Sequence, residues 1–457
     1  MPEVNRFSPF YRKLWSASGV DIDKIRTVAD MARLPFTTKA DIVATDDQPA
    51  KYKDIILQPT PESLKKCLSL PQKLGLGIGA VFGRDPKQVM FDRYFPIHII
   101  STTGRSARSV PFLYTYSDVN ILKLSGKRIF DIIGLDPASD IGVHAFPFAP
   151  HLAFWQVAFA GFEARLRMLH TGGGRVMGSG PIADTLERME ATILVCTPGF
   201  AYHLAQICAE QGKRLPRLRL CILGAEKVND AYKAKLKEIW AQCGAENVRV
   251  LSTYGLTEAK HAWVECTDAP NARYHLYPDL ELFEVINPET GEQVKEGERG
   301  ELVLTTLAGA GSVVVRYRTG DIAEGGIIID KCPHCGRVTP LLDSRIGRVS
   351  EIKKVKGLLV NFNELFGWFS ARKEIVEWQL EIGKKNDDEF AMDELRLRVA
   401  LAEGTNRDSF ERALNEDARR DFEMKFDSIE YLSREELSRL LGMDTLPKEA
   451  RIIDKRS

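Results

Sequence analysis

Short apolar runs alternate with helical segments between about Ile129 and Thr305, and this alternation limits the fold more than any other feature of the chain. The run ATILVCTPG leads into a helical pattern from Phe200, LRLCILGAE leads into one from Lys227, and VRVLSTYG ends the series. A strand followed by a helix, repeated in this way, is typical of a mostly parallel sheet with helices on both faces. The sequence therefore predicts an α/β fold for this part of the chain.

Three polar turns follow these apolar runs, with the sequences TPG, GAE and TYGLTE. Ligand sites on parallel sheets form at the carboxyl ends of the strands, so we expect the three turns to lie side by side. The last turn has an alternative interpretation, in which Thr257 caps a helix and Glu258 interacts with the positive end of its dipole.

The remaining segments predict two further regions. The first hundred residues look helical and irregular, with Thr38 as a helix cap and Asp41 three residues later. The pattern becomes β-rich from about Asp279, and the last hundred residues alternate strands with charged helices. We therefore expect a large N-terminal domain, residues 1–345, and a small α+β C-terminal domain, residues 346–457.

Composition and charge exclude several classes of protein. The 457 residues are 44% hydrophobic and 28% charged, with 63 basic and 63 acidic residues, so no global field favours nucleic acid or an anionic membrane. No run of about 18 apolar residues and no signal-peptide pattern is visible. The eight cysteines therefore predict a reducing, cytoplasmic environment.

Two loops have the composition of nucleotide-binding segments. The stretch STTGRSARS, residues 101–109, combines hydroxyls, a glycine and two arginines, which can surround a polyphosphate. The stretch YRTGD, residues 317–321, places a carboxylate after a glycine, where it could accept hydrogen bonds from ribose. The alternatives are a polar surface loop and an ordinary type II turn.

The knuckle CPHCG predicts a structural zinc site, because a C-x₂-C pair in a cytosolic chain is typical of zinc. The expected ligands are Cys266, His275, Cys332 and Cys335. His261 or His334 could replace His275, and a metal-free knuckle or a redox pair are the alternatives.

The order of these motifs carries more information than any one of them. A Ser/Thr/Gly loop, GAE, YGLTE, YRTGD, a Gly-Arg pair and a lysine near the C-terminus follow one another. In this order the chain resembles the adenylate-forming ligases, and more closely their phenylacetate–CoA ligase branch. The likeness runs from SPFYRKLW to ARIIDKR and implies a large adenylate-forming domain followed by a small mobile domain.

The resemblance also implies the residues that would bind ATP. The phosphates would be held by Ser101, Thr102, Thr103, Gly104 and Arg105. The adenine would be bound by Gly224, Ala225, Glu226, Tyr254 and Gly255. Thr257 would contact the α-phosphate, Glu258 would ligate Mg²⁺, and Asp321 would bind the ribose hydroxyls.

Further residues are implied for the acid and for catalysis. The aromatic segment Phe146–Phe159 has an alternative role as plain core, but the resemblance places it beside the acyl group. The side chains expected there are Phe148, His151 and Trp155. Arg348 would lie at the domain junction, and Lys448 would contact ATP and the carboxylate.

Two positions depart from the family pattern. Ile99, Ile100 and Ser101 stand before TTG, where the family usually has Ser-Ser-Gly, and Arg105 replaces a lysine. A lost glycine restricts the approach of the backbone to phosphate, and an arginine fork binds phosphate with a different geometry. Ser350 stands where the family usually has a hinge aspartate.

The expected function is that of an AMP-forming acid–thiol ligase. It would use ATP and Mg²⁺ to adenylate a small carboxylic acid, of the arylacetate or benzoate type, and pass the acyl group to coenzyme A. The alternatives are an amine or a carrier protein as acceptor, and a nucleotide-binding paralogue with impaired catalysis. We expect no nucleic-acid or membrane partner, and a homodimer is left open.

Overall fold

The computed structural model describes residues 1–67, 70–83, 85–102, 109–348, 352–355, 358–384, 393–422, 424–442 and 450–456. The α-helices are α1 Pro2–Phe7, α2 Pro9–Ala17, α3 Lys39–Ile42, α4 Pro61–Cys67, α5 Leu70–Val81, α6 Pro86–Tyr94, α7 Tyr116–Ile133, α8 Leu152–Glu163, α9 Gly174–Met177, α10 Ser179–Arg188, α11 Pro198–Glu210, α12 Asp230–Gln242, α13 Phe362–Ser370, α14 Arg407–Phe422 and α15 Arg434–Leu441. Short 3₁₀ helices span Ile22–Lys24, Ala29–Arg33 and Lys51–Ile55.

The strands fall into an N-terminal and a C-terminal group. Before the last hundred residues they are β1 Pro96–Ser101, β2 Pro111–Thr115, β3 Ile141–His144, β4 Arg167–His170, β5 Ile193–Cys196, β6 Leu220–Leu223, β7 Arg249–Leu256, β8 His261–Val264, β9 Arg273–His275, β10 Glu281–Ile286, β11 Gly300–Thr306, β12 Tyr317–Ala323, β13 Ile327–Ile328, β14 Leu341–Asp343 and β15 Ile346–Arg348. They continue with β16 Ile352–Val355, β17 Leu358–Asn361, β18 Ile375–Lys384, β19 Asp393–Leu401, β20 Ser428–Tyr431 and β21 Ile452–Asp454.

The predicted parallel sheet is confirmed. Its six strands lie in the order β4-β3-β5-β6-β7-β8, and every neighbouring pair is parallel except β7 and β8. Strand β5 is buried along its whole length, with Leu194 in the core on one face of the sheet and Ile193 and Val195 in the core on the other. A parallel sheet covered by helices on both faces buries its strands in this way.

The β-rich region after Asp279 is confirmed as well. Strands β10-β11-β12-β15 form an antiparallel sheet, and the N-terminal segment packs against it through buried polar contacts. The Tyr11 hydroxyl accepts the Val315 amide at 2.8 Å, and the Thr37 hydroxyl donates to the Val315 carbonyl at 3.0 Å. The start of the chain is therefore packed against the β-rich region that follows Asp279.

The last hundred residues form the expected α+β region. Strands β20-β19-β18-β21 make one sheet, in which β18 and β19 are antiparallel and both outer strands are parallel to their neighbours. Leu380, Leu397 and Leu414 lie in a core of its own. Among the described residues, no helix is both long enough and apolar enough to cross a lipid bilayer.

Candidate active site

The three predicted turns lie next to one another at the carboxyl edge of the large sheet. The Gly224 amide donates to the carbonyl of Cys196 at 3.2 Å, and the Thr253 hydroxyl donates to the carbonyl of Leu223 at 2.9 Å. A Cβ atom at Gly224 would lie 2.4 Å from the Thr253 hydroxyl oxygen, so only glycine fits there. Ala225 follows with φ at +68° and is exposed, which leaves its backbone open to a ligand.

The last turn is a β-hairpin. Strand β7 continues through Tyr254 and Gly255, residues 257–260 form the turn, and β8 returns antiparallel from His261. The alternative prediction of a helix start at Thr257 is therefore wrong, because the chain pairs with its own strand instead of coiling. The hairpin places Thr257 and Glu258 at its tip, both partly buried.

A buried ion pair anchors this tip. The Lys260 ammonium donates to Asp118 Oδ1 at 2.9 Å, and Asp118 Oδ2 accepts the Gly311 amide at 2.8 Å. Both side chains of the pair are almost fully buried, and Lys260 has φ at +67°. Removing one partner of such a pair typically costs about 3–5 kcal/mol of stability. Because Lys260 lies in the same turn as Glu258, two residues later, the pair also fixes the turn that carries Glu258.

Glu258 faces strand β12 of the neighbouring sheet. The Tyr317 hydroxyl donates to Glu258 Oε1 at 3.2 Å. Burial raises the pKa of Glu258, and the charge of Asp321 raises it further, although the Arg348 charge opposes the shift. A carboxylate that is costly to ionise gains most from a nearby cation, so this side chain fits the predicted magnesium ligand.

Asp321 joins the two sheets at the site. It accepts the Tyr254 hydroxyl at 2.7 Å and pairs with the Arg348 guanidinium at 2.9 Å. Burial, followed by the charge of Asp321, raises the pKa of Tyr254 well above its usual value, so this hydroxyl stays protonated and donates. Arg348 lies on β15 directly opposite Asp321.

The predicted phosphate loop connects β1 to β2, and its two ends are described. The Thr102 amide donates to the Val110 carbonyl at 3.0 Å, and the Ser109 hydroxyl donates to the Thr102 carbonyl at 2.6 Å. Ser101 is tied to the aromatic segment, because its carbonyl lies 3.1 Å from His151 Nδ1. Of the predicted residues, Thr103, Gly104, Arg105, Ser350 and Lys448 lie outside the described part of the chain.

The aromatic segment adjoins these elements. Phe148 and Trp155 both pack against Phe154, with ring centroids 5.1 Å and 5.6 Å apart, and Phe148 is exposed. The His98 ring meets Trp155 edge-on at 4.7 Å, and burial lowers the pKa of His98. Helix α8 reaches the hairpin, since a Cβ atom at Gly255 would lie 3.6 Å from a methyl group of Leu152.

The four predicted zinc ligands come from separate segments of the chain but lie together in the fold. Their ligand atoms all lie within 4.8 Å of one another, with Cys266 and Cys332 sulfurs 3.6 Å apart and Cys335 Sγ 3.6 Å from His275 Nε2. Burial and the Arg337 charge lower the pKa of His275 to about 4, so its ring is neutral near pH 7. The alternative ligand His261 instead contacts Glu281 at 2.9 Å.

Sequence reasoning missed two residues that the structure brings to the site. Tyr317 is the first residue of the quoted YRTGD motif, yet only its aspartate was assigned a role. Lys260 follows Glu258 by two positions, and a buried lysine has no local signal. Its positive φ, at a position where glycine is more usual, is visible only in the structure.

Comparison with known proteins agrees with the geometry. Residues 133–310 match the family described as AMP-binding enzyme. The phenylacetate-coenzyme A ligase of Thermus thermophilus is 25% identical over 410 residues, which cover 86% of this chain and 77% of that protein.

Solved structures of 2-hydroxyisobutyryl-CoA ligase share the fold. In its postadenylation state with a bound adenylate, that protein gives a TM-score of 0.79 at 20% identity, over 100% of this chain and 87% of that chain. In its thioester-forming state the TM-score is 0.62 at 20% identity, over 99% of this chain and 87% of that chain. The AMP-binding match and the fold together indicate the class of adenylate-forming enzymes. Within that class, the chain is similar to the phenylacetate–CoA ligase branch of the AMP-forming ligases.

Proposed function

We propose that this protein joins a carboxylic acid to coenzyme A in an ATP-dependent, AMP-forming reaction. The observation that carries the proposal is the meeting of Glu258 and Asp321, which come from different sheets and lie at one strand edge with Tyr254 and Tyr317. These side chains supply an acidic site for a metal–phosphate complex beside a position for ribose. Named relatives of the chain are phenylacetate-coenzyme A ligases.

The first step forms the acyl-adenylate. A carboxylate oxygen attacks the α-phosphorus of ATP, the bond from that phosphorus to the bridging oxygen breaks, and pyrophosphate leaves. Glu258 would hold Mg²⁺, which supplies charge neutralisation for the phosphates when bound. Thr257 contacts the α-phosphate, Asp321 holds the ribose, and Tyr254 stacks on the adenine next to Gly224 and Ala225. Most of the acceleration would come from positioning and charge stabilisation.

The second step forms the thioester. The sulfur of coenzyme A attacks the acyl carbon, the bond to the AMP oxygen breaks, and the thiol proton passes to solvent. Between the two steps, the small domain of residues 346–457 would rotate about the junction at Arg348. Lys448, on that domain, serves the first step only.

An aromatic acid is the substrate class that we propose. The rings of Phe148 and Trp155 pack against Phe154 on helix α8, which reaches the hairpin through Leu152, and His151 Nδ1 lies 3.1 Å from the Ser101 carbonyl. Flat apolar rings pack well against such edges and faces. The preference would be for arylacetates or benzoates over short alkyl acids.

The test is carboxylate-dependent exchange between ATP and labelled pyrophosphate across a panel of aryl and alkyl acids. We expect exchange with aryl acids and, after coenzyme A is added, the corresponding acyl-CoA. Exchange without a thioester would instead support an amine or a carrier protein as acceptor. If the protein binds ATP but shows no exchange with any acid, the result would support the alternative of a nucleotide-binding paralogue with impaired catalysis.

We also propose that the Cys₃His cluster holds a structural zinc ion. A tetrahedral zinc with ordinary bond lengths separates two sulfurs by about 3.8 Å and a sulfur from a nitrogen by about 3.6 Å. The Cys266–Cys332 and Cys335–His275 pairs are each 3.6 Å apart, which fits this geometry. Thr339 Oγ1 lies 3.0 Å from His275 Nδ1 and orients the ring, leaving Nε2 for the metal.

Metal analysis of protein prepared without chelator should find about one zinc per chain. Cys332→Ser should lose the zinc and lower the melting temperature, with little effect on the KM for ATP, because the cluster links β-segments and does not line the strand edge. His334→Ala is the matched control, since His334 lies in the same knuckle and is exposed. Zinc retained in Cys332→Ser, or lost in His334→Ala, would contradict the ligand set.

A further inference from the structure

The C-terminal α+β region rests against two helices of the large sheet. The ammonium group of Lys235, on α12, donates to the backbone carbonyl of Ile375, at the start of β18, at 2.6 Å. The same group lies 5.4 Å from the centre of the Tyr202 ring, on α11. Lys235 is therefore held between an aromatic face of one region and a backbone carbonyl of the other.

A second polar contact joins the same two regions. Glu210, the last residue of α11, pairs with Arg434, the first residue of α15. The Asn229 side chain also lies close to α13, since a Cβ atom at Gly367 would be 3.4 Å from its nitrogen. The end of α11 and the start of α12 thus face the C-terminal region.

The Lys235 contact depends on the arrangement of the two regions. Burial lowers the pKa of Lys235, and the charge of Glu377, on β18, partly opposes this shift. The burial and the acceptor both require the C-terminal region to be docked on α12. If that region rotates away, the ammonium group and the Ile375 carbonyl both return to water, and the bond is lost.

The docked arrangement resembles one of three recorded states of a protein with the same fold more than the other two, since its open conformation gives a TM-score of 0.63. The overlap is larger with 2-hydroxyisobutyryl-CoA ligase in its postadenylation state than in its thioester-forming state, with TM-scores of 0.79 and 0.62. Each comparison spans nearly the whole chain. The contacts of Lys235 and of Glu210 therefore occur in an arrangement that overlaps better with the postadenylation state than with the thioester-forming one.

We propose that Lys235, together with the Glu210–Arg434 pair, is a latch that holds the small domain in the adenylating arrangement and so sets the balance between the two half-reactions. The proposal rests on the proposed function. None of the three side chains is part of the strand-edge site, so they act by positioning the small domain. A contact made in one state alone shifts the equilibrium between states by its own differential free energy.

The first test removes the ammonium group and keeps the apolar stem. Lys235→Met should lower acid-dependent ATP–pyrophosphate exchange by about three- to tenfold, because the adenylating arrangement becomes less populated. Thioester formation from supplied acyl-adenylate and coenzyme A should be unchanged or faster. Lys237→Met is the matched control, since Lys237 lies on the same helix and pairs with Asp268, within the large domain. It should change neither half-reaction.

The second test uses charge reversal. Glu210→Arg should shift the ratio of the half-reactions in the same direction, and the double variant Glu210→Arg with Arg434→Glu should restore it, which a general loss of stability would not do. If wild-type enzyme performs both half-reactions and Lys235→Met changes neither, or lowers both equally, the latch is wrong. If wild-type enzyme performs neither, the proposed function itself fails.

Discussion

Replacing Glu258 by glutamine is expected to lower acid-dependent ATP–pyrophosphate exchange by about 10²-fold or more, the usual effect of losing a preorganised electrostatic group. The substitution keeps the size of the side chain and its place at the hairpin tip, but it removes the charge that would face Mg²⁺. The measurement is the exchange rate at saturating ATP, with the dependence on Mg²⁺ concentration recorded for both proteins.

Stability should move in the opposite direction to activity in this variant. Burial raises the pKa of Glu258, so the folded protein binds its proton more tightly than the unfolded chain does. The free energy of unfolding therefore falls as pH rises through the raised pKa. At neutral pH, the charged carboxylate of Glu258 destabilises the folded protein. Glu258→Gln should melt at the same temperature as wild type or higher. Unchanged exchange in this variant would reduce Glu258 to a structural turn residue.

Lys448→Ala is expected to separate the two half-reactions. Loss of one preorganised donor typically costs about 2.7–4 kcal/mol, or roughly 10²–10³ in rate, so formation of acyl-adenylate should nearly stop. Lys448 itself lies outside the described residues. Two residues later, the Ala450 carbonyl accepts a hydrogen bond from the Gln379 side-chain amide, on β18, at 2.8 Å. With supplied acyl-adenylate and coenzyme A, the variant should form thioester at close to the wild-type rate.

A second lysine of the same tail provides the control for this experiment. Lys455 pairs with Glu381 at 2.9 Å on the small domain and is more than half exposed. Lys455→Ala should leave both half-reactions intact, and the melting curves of the two variants should match. Equal loss of both half-reactions in Lys448→Ala would contradict the rotation of the small domain. Full activity of Lys448→Ala in both half-reactions would contradict the role assigned to Lys448.

Local patterns in the sequence were enough to predict the architecture around the site. Alternating strands and helices predict a parallel sheet because period and length are local properties, and the carboxyl ends of neighbouring parallel strands always share an edge. This reasoning placed Gly224 and Tyr254 on that edge. The C-x₂-C spacing likewise indicated a metal knuckle, since two cysteines at that separation can point at one ion.

Tertiary structure alone decided which distant groups meet. The choice of His275 over His261 depends on β9 pairing with β14, which brings His275 opposite Leu341, close to the knuckle, while His261 is taken by Glu281. The segment after Leu256 became a hairpin because β8 completes the sheet edge. A helix start there would satisfy the same local propensities of Thr257 and Glu258.

The sequence by itself determined the fold class, the strand edge that carries the polar turns and the C-x₂-C knuckle of Cys332 and Cys335, because each of these follows from spacing along the chain. The structure decided that Tyr317 bonds Glu258, that Lys260 pairs with Asp118 and that Lys235 reaches Ile375. Each of these contacts joins residues more than fifty positions apart. Such partners are selected by the packing of whole sheets and domains, which no local pattern encodes.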